Sequence, residues 1–201
     1  MATVLDISMS LDGYVAGRND GVGHGLGDNG EPIHNWVMGG EWTSGEESFA
    51  ATGIDRELLD TMLVSSGAAI VGRRMFDVVD GWGDDPPWHL PVFVLTHRPQ
   101  RPERRGDTIF VFVADGVESA HRQARDAAGE KNVHIGGGAS IAQQAHAAGL
   151  VDELQLHVAP ILLGSGVRLF ENLEHYPIRL EQLSVQHSEF ATHIRYRVDR
   201  D

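Results

Sequence analysis

The chain contains no cysteine. Disulfides, thiolate chemistry and cysteine-held zinc are excluded, and a cytoplasmic setting is the expected one. Long apolar runs are missing too: no window approaches the roughly 20 residues that a membrane span needs. The first residues, Met1-Ala2-Thr3-Val4-Leu5-Asp6, lack the basic segment and apolar run of a signal peptide. Positive charge is scarce. Lys and Arg number 16 against 29 Asp and Glu, a formal net charge of -13. The densest basic stretch runs only from Arg98 to Arg105. Such a field repels polyanions, so neither nucleic acid nor an anionic membrane is an expected partner. A small anionic ligand stays compatible, because a few local donors outweigh a screened global charge. The eleven histidines form no H-E-x-x-H and no tight ligand cluster, so no metal is expected. No Gly-x-Ser-x-Gly occurs, and Gly164-Ser165-Gly166 reads as a turn.

What is present fits one α/β domain over residues 1–201, with 41% hydrophobic residues to build a core. Thr3 to Met9 alternates and reads as a strand. From Gly17 to Gly30 the chain is too glycine-rich for anything but loop; so long a loop in a compact domain suggests a lid, or else a surface excursion. Asp55 is a candidate N-cap for a helix carrying Leu58, Leu59, Met62 and Leu63. Ala68 to Val71, Val92 to Leu95 and Ile109 to Val113 are continuous apolar runs, as expected for parallel strands covered on both faces. Pro99 to Gly106 reads as loop. A helix is expected from Gly116 to Ala128, capped by Asp115 with Glu118 completing a capping box and Gly129 closing it. Asn132 to Ile135 is a further strand, and Ala139 to Ala148 a helix ended by Gly149. Glu153 to Val158 and two later runs alternate; in the last, Thr192, Ile194 and Tyr196 oppose His193, Arg195 and Arg197. Alternation predicts an antiparallel C-terminal hairpin beside a mostly parallel sheet flanked by helices.

Three segments carry donors just past expected strand ends. In Gly136-Gly137-Gly138-Ala139-Ser140-Ile141, glycines join a strand to a helix. Without Cβ atoms a ligand can touch the backbone, and the helix start offers N–H groups with partial positive charge. The pattern is neither G-x-G-x-x-G nor a P-loop, and a plain tight turn is the other reading. Gly72-Arg73-Arg74-Met75 adds two guanidiniums, and Thr96-His97-Arg98 a hydroxyl and a cation. A solvated strand end would explain any one of them; a parallel sheet places all three along one edge, where such sheets bind ligands. Trp36, Trp42, Trp82 and Trp88 either wall a flat ligand or pack in the core.

Ser10-Leu11-Asp12-Gly13-Tyr14-Val15-Ala16-Gly17, Val71 to Phe76, Val92 to Arg98 and Gly136 to Ser140 occur in that order. Gly149-Leu150-Val151-Asp152-Glu153-Leu154 and Pro160 to Phe170 follow. Together they resemble the dihydrofolate-reductase-like superfamily, in the branch of the RibD C-terminal domain. The resemblance spans nearly the whole chain and is most specific between Gly136 and Phe170. It implies that fold, NADPH as cofactor, reductase activity and commonly a homodimer. By that resemblance the turn from Gly136 to Ile141 holds the diphosphate, and Gly72 to Met75 opens the second phosphate-contacting helix. Thr96 and Arg98 surround the adenosine 2′-phosphate, His97 between them is a further cofactor contact, and Val15, Ala16 and Gly17 lie at the nicotinamide.

Asp12 is the candidate proton donor, or orders a water, although its plainer reading is a turn-forming aspartate. His34, Trp36 and Asp55 are candidate substrate contacts. Two positions depart from the riboflavin-pathway pattern. Those reductases carry lysine where this chain has Asp6, and often glutamate where it has Gly136; both positions face substrate there. The leading expectation is hydride transfer to a C=N or C=O bond of a small, heterocyclic substrate. Two alternatives are 5-amino-6-(5-phosphoribosylamino)uracil reductase and a non-catalytic NADPH-binding sensor.

Overall fold

The computed structural model describes residues 1–42, 49–171, 173 and 177–199. In chain order the strands are β1 Thr3–Ser10, β2 Tyr14–Ala16, β3 Ser66–Gly72, β4 Pro91–Leu95, β5 Glu103–Arg105, β6 Thr108–Val113, β7 Asn132–Ile135, β8 Glu153–Ala159, β9 Val167–Arg168, β10 Leu180–His187 and β11 Thr192–Val198. The helices are α1 Asn35–Met38, entered through a 3-10 turn at Glu31–His34, α2 Gly53–Ser65, α3 Arg73–Val78, α4 Val117–Ala128 and α5 Ala139–Ala147.

Nine strands form one sheet in the order β10-β11-β8-β1-β7-β3-β4-β6-β5. The six from β8 to β6 run parallel. Antiparallel strands close both edges, the β10–β11 hairpin on one and β5 on the other. β5 corrects the loop expected between Pro99 and Gly106: Glu103, Arg104 and Arg105 pair with Phe110, Ile109 and Thr108. A strand of three charged residues has no apolar rhythm to read, and its pairing comes from the neighbouring β6.

The core follows from the parallel arrangement. Central strands are covered on both faces, so β3 is buried at six of its seven positions. Leu5, Ile7, Ile70 and Ile135 point to one face and meet α4 and α5. Helix α4 buries Val117, Ala120, Ala124 and Ala128, spaced three and four apart along one stripe. On the opposite face Ala69, Val71, Val92 and Phe110 pack against Phe76. Trp82 and Trp88 join that cluster, so those two tryptophans take the core role.

Two expected caps are replaced. Helix α4 starts at Gly116 without a side-chain cap, and the Asp115 carboxylate accepts a hydrogen bond from Ser119 Oγ at 2.7 Å instead. Asp55 is not an N-cap; Thr52 holds that position, and Asp55 lies buried within the first turn of α2. Its carboxylate is drawn to His193, a partner 138 residues away that local patterning does not reveal.

Candidate functional site

A cavity of about 760 Å³ opens where β1, β3, β4 and β7 end. The parallel directions of these strands bring the three donor segments to that edge, as expected of open α/β sheets. The backbone from Gly136 to Ile141 forms one wall. Gly72 to Met75 forms the next, and Thr96, His97 and Arg98 the third.

The two glycine turns are tied together. Gly72 N–H donates to the Gly137 carbonyl at 3.0 Å, and Gly136 N–H to Ile70 O at 3.1 Å. The Gly137–Gly138 peptide is cis, and Gly137 has φ +113°, a conformation that other residues rarely adopt. The turn delivers the chain into α5, whose first-turn N–H groups at Ala139 and Ser140 have no carbonyl within the helix to meet. Ala139 and Ser140 both line the cavity, and the Ser140 hydroxyl accepts a hydrogen bond from Gln144 Nε2 at 3.0 Å. A helix start of this kind can hold an anion.

The guanidiniums arrive already paired. Arg73 Nε lies 2.6 Å from Asp77 Oδ1, and Arg98 reaches Asp77 Oδ2 at 2.9 Å. One carboxylate therefore bridges two cations. Arg73 also donates to Gln100 Oε1 at 3.0 Å. Arg74 binds Asp20 at 2.8 Å and so latches the glycine-rich loop to α3. That loop is folded back on itself by Gly17 N–H to Leu26 O and Asp28 N–H to Arg18 O, both 2.7 Å. A Cβ at Gly30 would stand 1.9 Å from Leu26 O, so the return admits only glycine. Asp20, Gly21, Val22, Gly25 and Leu26 line the cavity, so the loop is packed on it and is not a surface excursion away from it.

Farther along the cavity are Ile7 and Ser8 of β1, Val15 and Ala16 of β2, His34 and Trp42. Burial, with the charge of His157 second, pushes the His34 imidazole down to about 4, so it is neutral near pH 7. Ser8 Oγ accepts a hydrogen bond from Trp36 Nε1 at 2.9 Å. With that lone pair engaged, the hydroxyl hydrogen is left for another acceptor.

Four expected residues are not brought into the cavity lining. Gly17 is occupied with the loop closure just described. Asp12 sits in a turn: its carboxylate accepts from Ser10 Oγ at 2.6 Å, Leu163 N–H at 3.1 Å and Gly164 N–H at 2.7 Å. These bonds, Ser10 foremost, lower its pKa to about 2, which suits a structural anchor better than a proton donor. Trp36 is buried behind the wall, stacked on His157 at 4.0 Å between centroids. Asp55 lies deeper still, its Oδ1 2.7 Å from His193 Nε2.

Trp42, one of the four tryptophans read as a ligand wall or core, lines the cavity, whereas sequence reasoning missed Ser8, Asp20 and Asp77 there. It also missed a buried row on the same sheet face. His157 Nε2 lies 2.9 Å from Asp6 Oδ1, and His157 Nδ1 lies 2.6 Å from His193 Nδ1. The register shows the alignment: Asp6 is opposite Gln155, and His157 is opposite both Ser8 and His193. Strand alternation places these residues on one face, but strand order had to be known before the face became a row.

The two positions that depart from the riboflavin-pathway pattern belong to this region. Asp6 is bound to His157. A Cβ at Gly136 would meet His134 Nε2 at 3.0 Å, so the glycine makes room for a buried imidazole.

Residues 2–193 match the RibD C-terminal domain. The chain belongs to the RibD C-terminal domain family. The chain is similar to the uncharacterized protein YyaP of Bacillus subtilis (strain 168), 25% identical over 178 residues, covering 83% of this chain and 79% of that protein. YwjB of the same organism is 27% identical over 174 residues, 85% and 83% of the two chains. Solved structures share the fold. The bifunctional deaminase/5-amino-6-(5-phosphoribosylamino)uracil reductase of Thermotoga maritima superposes with a TM-score of 0.62 at 13% identity, over 98% of this chain and 56% of that one. Dihydrofolate reductase from Enterococcus faecalis, solved with NADP(H), gives 0.56 at 14% identity, over 98% and 96%. The RibD C-terminal fold, mostly parallel and dihydrofolate-reductase-like, is thus the one described above.

Proposed function

We propose that this RibD C-terminal family member is an NADPH-dependent reductase of a small heterocyclic substrate. The observation that carries the reading is the convergence of three donor segments on one cavity around the turn at Gly136, Gly137 and Gly138. The residues fit the cofactor. Ala139 and Ser140 N–H groups suit a diphosphate, and Arg73 and Arg98 suit a 2′-phosphate. Val15 and Ala16 supply a flat apolar wall at the other end. The E. faecalis reductase of the same fold holds NADP(H), which supports the choice.

NADPH supplies a hydride; the protein positions it and keeps water out. Ile7 and Ala16 shape the apolar floor, and the latch between Arg74 and Asp20 holds the lid loop over it. Ser8 and the neutral His34 are the polar groups at this end. Each can donate a hydrogen bond to the substrate oxygen or nitrogen that gains electron density, a task a neutral imidazole performs without first losing a proton. Asp6 engaged with His157, and Gly136 crowded by His134, favour a substrate other than the riboflavin-pathway intermediate.

Fluorescence titration with NADPH and NADH tests the cofactor. Arg98→Ala should weaken NADPH by about tenfold or more, the scale of a charge-assisted hydrogen bond of roughly 1.5–3 kcal/mol, and leave NADH nearly unchanged. Equal loss for both would remove the 2′-phosphate assignment. Oxidation of NADPH across a panel of cyclic carbonyls, imines and pterins separates a reductase from a sensor, which would bind and never turn over.

A homodimer is the proposed assembly. Strand β10 is exposed throughout and carries Leu180, Leu183 and Val185 on the open sheet edge. Light scattering at the mass of one chain would refute it. Among the described residues no helix is long and apolar enough to cross a membrane.

A further inference from the structure

The cavity chemistry leaves the buried row of Asp6, His157, His193 and Asp55 without a task. Its side chains are nearly sealed: 2% exposed for His157, 1% for His193, 5% for Asp55 and 13% for Asp6. Buried ionisable groups in this number are costly unless their protons and charges match.

The distances fix the proton count. Two ring nitrogens 2.6 Å apart must share a hydrogen, so one Nδ1 donates and the other accepts. Each Nε2 faces a carboxylate oxygen, at 2.9 Å for Asp6 and 2.7 Å for Asp55, and a carboxylate only accepts. Each Nε2 therefore carries a hydrogen. Three hydrogens on two imidazoles make one imidazolium and one neutral ring.

The surroundings say which is which. The Trp36 indole lies flat on His157, 4.0 Å between centroids and 21° between planes, and meets His193 edge-on at 73°. A cation is favoured over an aromatic face, which selects His157. Six elements face the row. From β1 comes Asp6, from β7 His134, from β8 Gln155, from β11 Arg195, from α2 Asp55, and from the turn before α1 His34. Burial holds His134 and His34 below the usual imidazole value, so neither competes for the proton. Arg195 is engaged with Glu153 at 2.6 Å.

We propose that Asp55, His193, His157 and Asp6 form a buried proton-sharing chain with His157 as its imidazolium, and that this chain positions Trp36 and, through it, the Ser8 hydroxyl on the cavity wall. Its task is positioning. The indole is held from below by a charged ring, its N–H is spent on Ser8, and Ser8 is left as a donor toward the cavity. The protonation pattern stands on its own; the statement that Ser8 then faces a substrate rests on the reductase reading.

The test is long-range ¹H–¹⁵N NMR of the full chain at neutral pH, without ligand. The expected spectrum has hydrogens on both nitrogens of His157 and on Nε2 only of His193. Asp55→Asn removes one terminal charge, so His157 should lose its extra hydrogen at neutral pH, while Asp55→Glu keeps it. Hydrogen exchange of the Trp36 indole should quicken by about tenfold or more in Asp55→Asn, the scale of one charge-assisted hydrogen bond. Two neutral rings in the unsubstituted protein, with a proton on a carboxyl instead, would overturn the chain. Unchanged Trp36 exchange in a folded Asp55→Asn would overturn the positioning role. Should Asp55→Asn not fold, the spectrum of the unsubstituted protein decides the protonation pattern, and Trp36 exchange in Asp6→Asn decides the positioning role. Failure of NADPH to bind would appear only in a parallel titration and would leave the ring spectra as they are.

Discussion

Two polar regions lie a few residues apart on the same sheet, and they solve the same problem in opposite ways. At the strand ends, the turn at Gly136 to Gly138 lines an open cavity and leads into the first turn of α5, where the N–H groups of Ala139 and Ser140 have no carbonyl within the helix. The cations beside it, Arg73, Arg74 and Arg98, are held by carboxylates that still touch solvent. Behind the wall, Asp6, His157, His193 and Asp55 satisfy one another with almost no solvent at all. The first region is polar and incomplete, which suits an anionic ligand. The second is polar and closed, which suits a support. Distance from the strand ends decides the difference: a site needs unmatched donors, a scaffold does not.

The largest expected effect would break the closed region. His157→Leu leaves the Asp6 carboxylate buried without its partner and should lower unfolding free energy by about 3–5 kcal/mol in urea denaturation. NADPH affinity of the folded fraction should change far less. If both fell together, the two regions would not be separable.

Acid gives the next effect. His34, His134 and His193 all have folded values below the ordinary 6.5, burial being the first cause. The unfolded chain then binds more protons as pH falls below 6.5, so stability present above that pH is lost on the way down. For His34, with a folded value of about 4, the loss is at most about 3 kcal/mol and is complete near pH 4. Asp6 adds to the fall at lower pH. Burial alone would raise its carboxyl, but His157 beside it brings the net value down; its stabilisation, present above 3.8, is lost below. Thermal melting across this range should show a steady decline from neutral to acid. A flat profile between 6.5 and 4 would count against the buried imidazoles as described.

The smallest effect sharpens the open region. Asp77→Asn removes the carboxylate that bridges Arg73 and Arg98 and should tighten NADPH by about two- to fivefold, the scale of a partly exposed ion pair. NADH should respond less. Weaker NADPH binding would instead assign Asp77 to holding the two guanidiniums in place.

Most of the open region was legible in the sequence, because its signals are local. Glycines between a strand and a helix, and arginines just past a strand, declare themselves within six residues. The same holds for the long strands and for α4 and α5, whose apolar spacing is regular. What was not legible depends on pairing across the sheet. Asp55 looked like a cap because its partner His193 lies 138 residues on. From its neighbours alone Asp12 reads as a turn former or a proton donor, because Leu163 and Gly164, which bind its carboxylate, belong to another turn. Trp36 reads equally as ligand wall or core in the sequence, and the stack on His157 decides for the interior. Strand β5 has three charged residues and no rhythm at all.

The bridge from Asp77 to Arg73 and Arg98 has one more consequence. Under the proposed cofactor reading, a phosphate arriving there would not fill a vacant positive site; it would trade places with the Asp77 carboxylate already paired there. Net charge transferred to the site is therefore smaller than two guanidiniums suggest. Raising the ionic strength weakens the departing pair as well as the incoming one. The salt dependence of cofactor affinity at this corner should be shallow, even in a molecule whose formal net charge is -13.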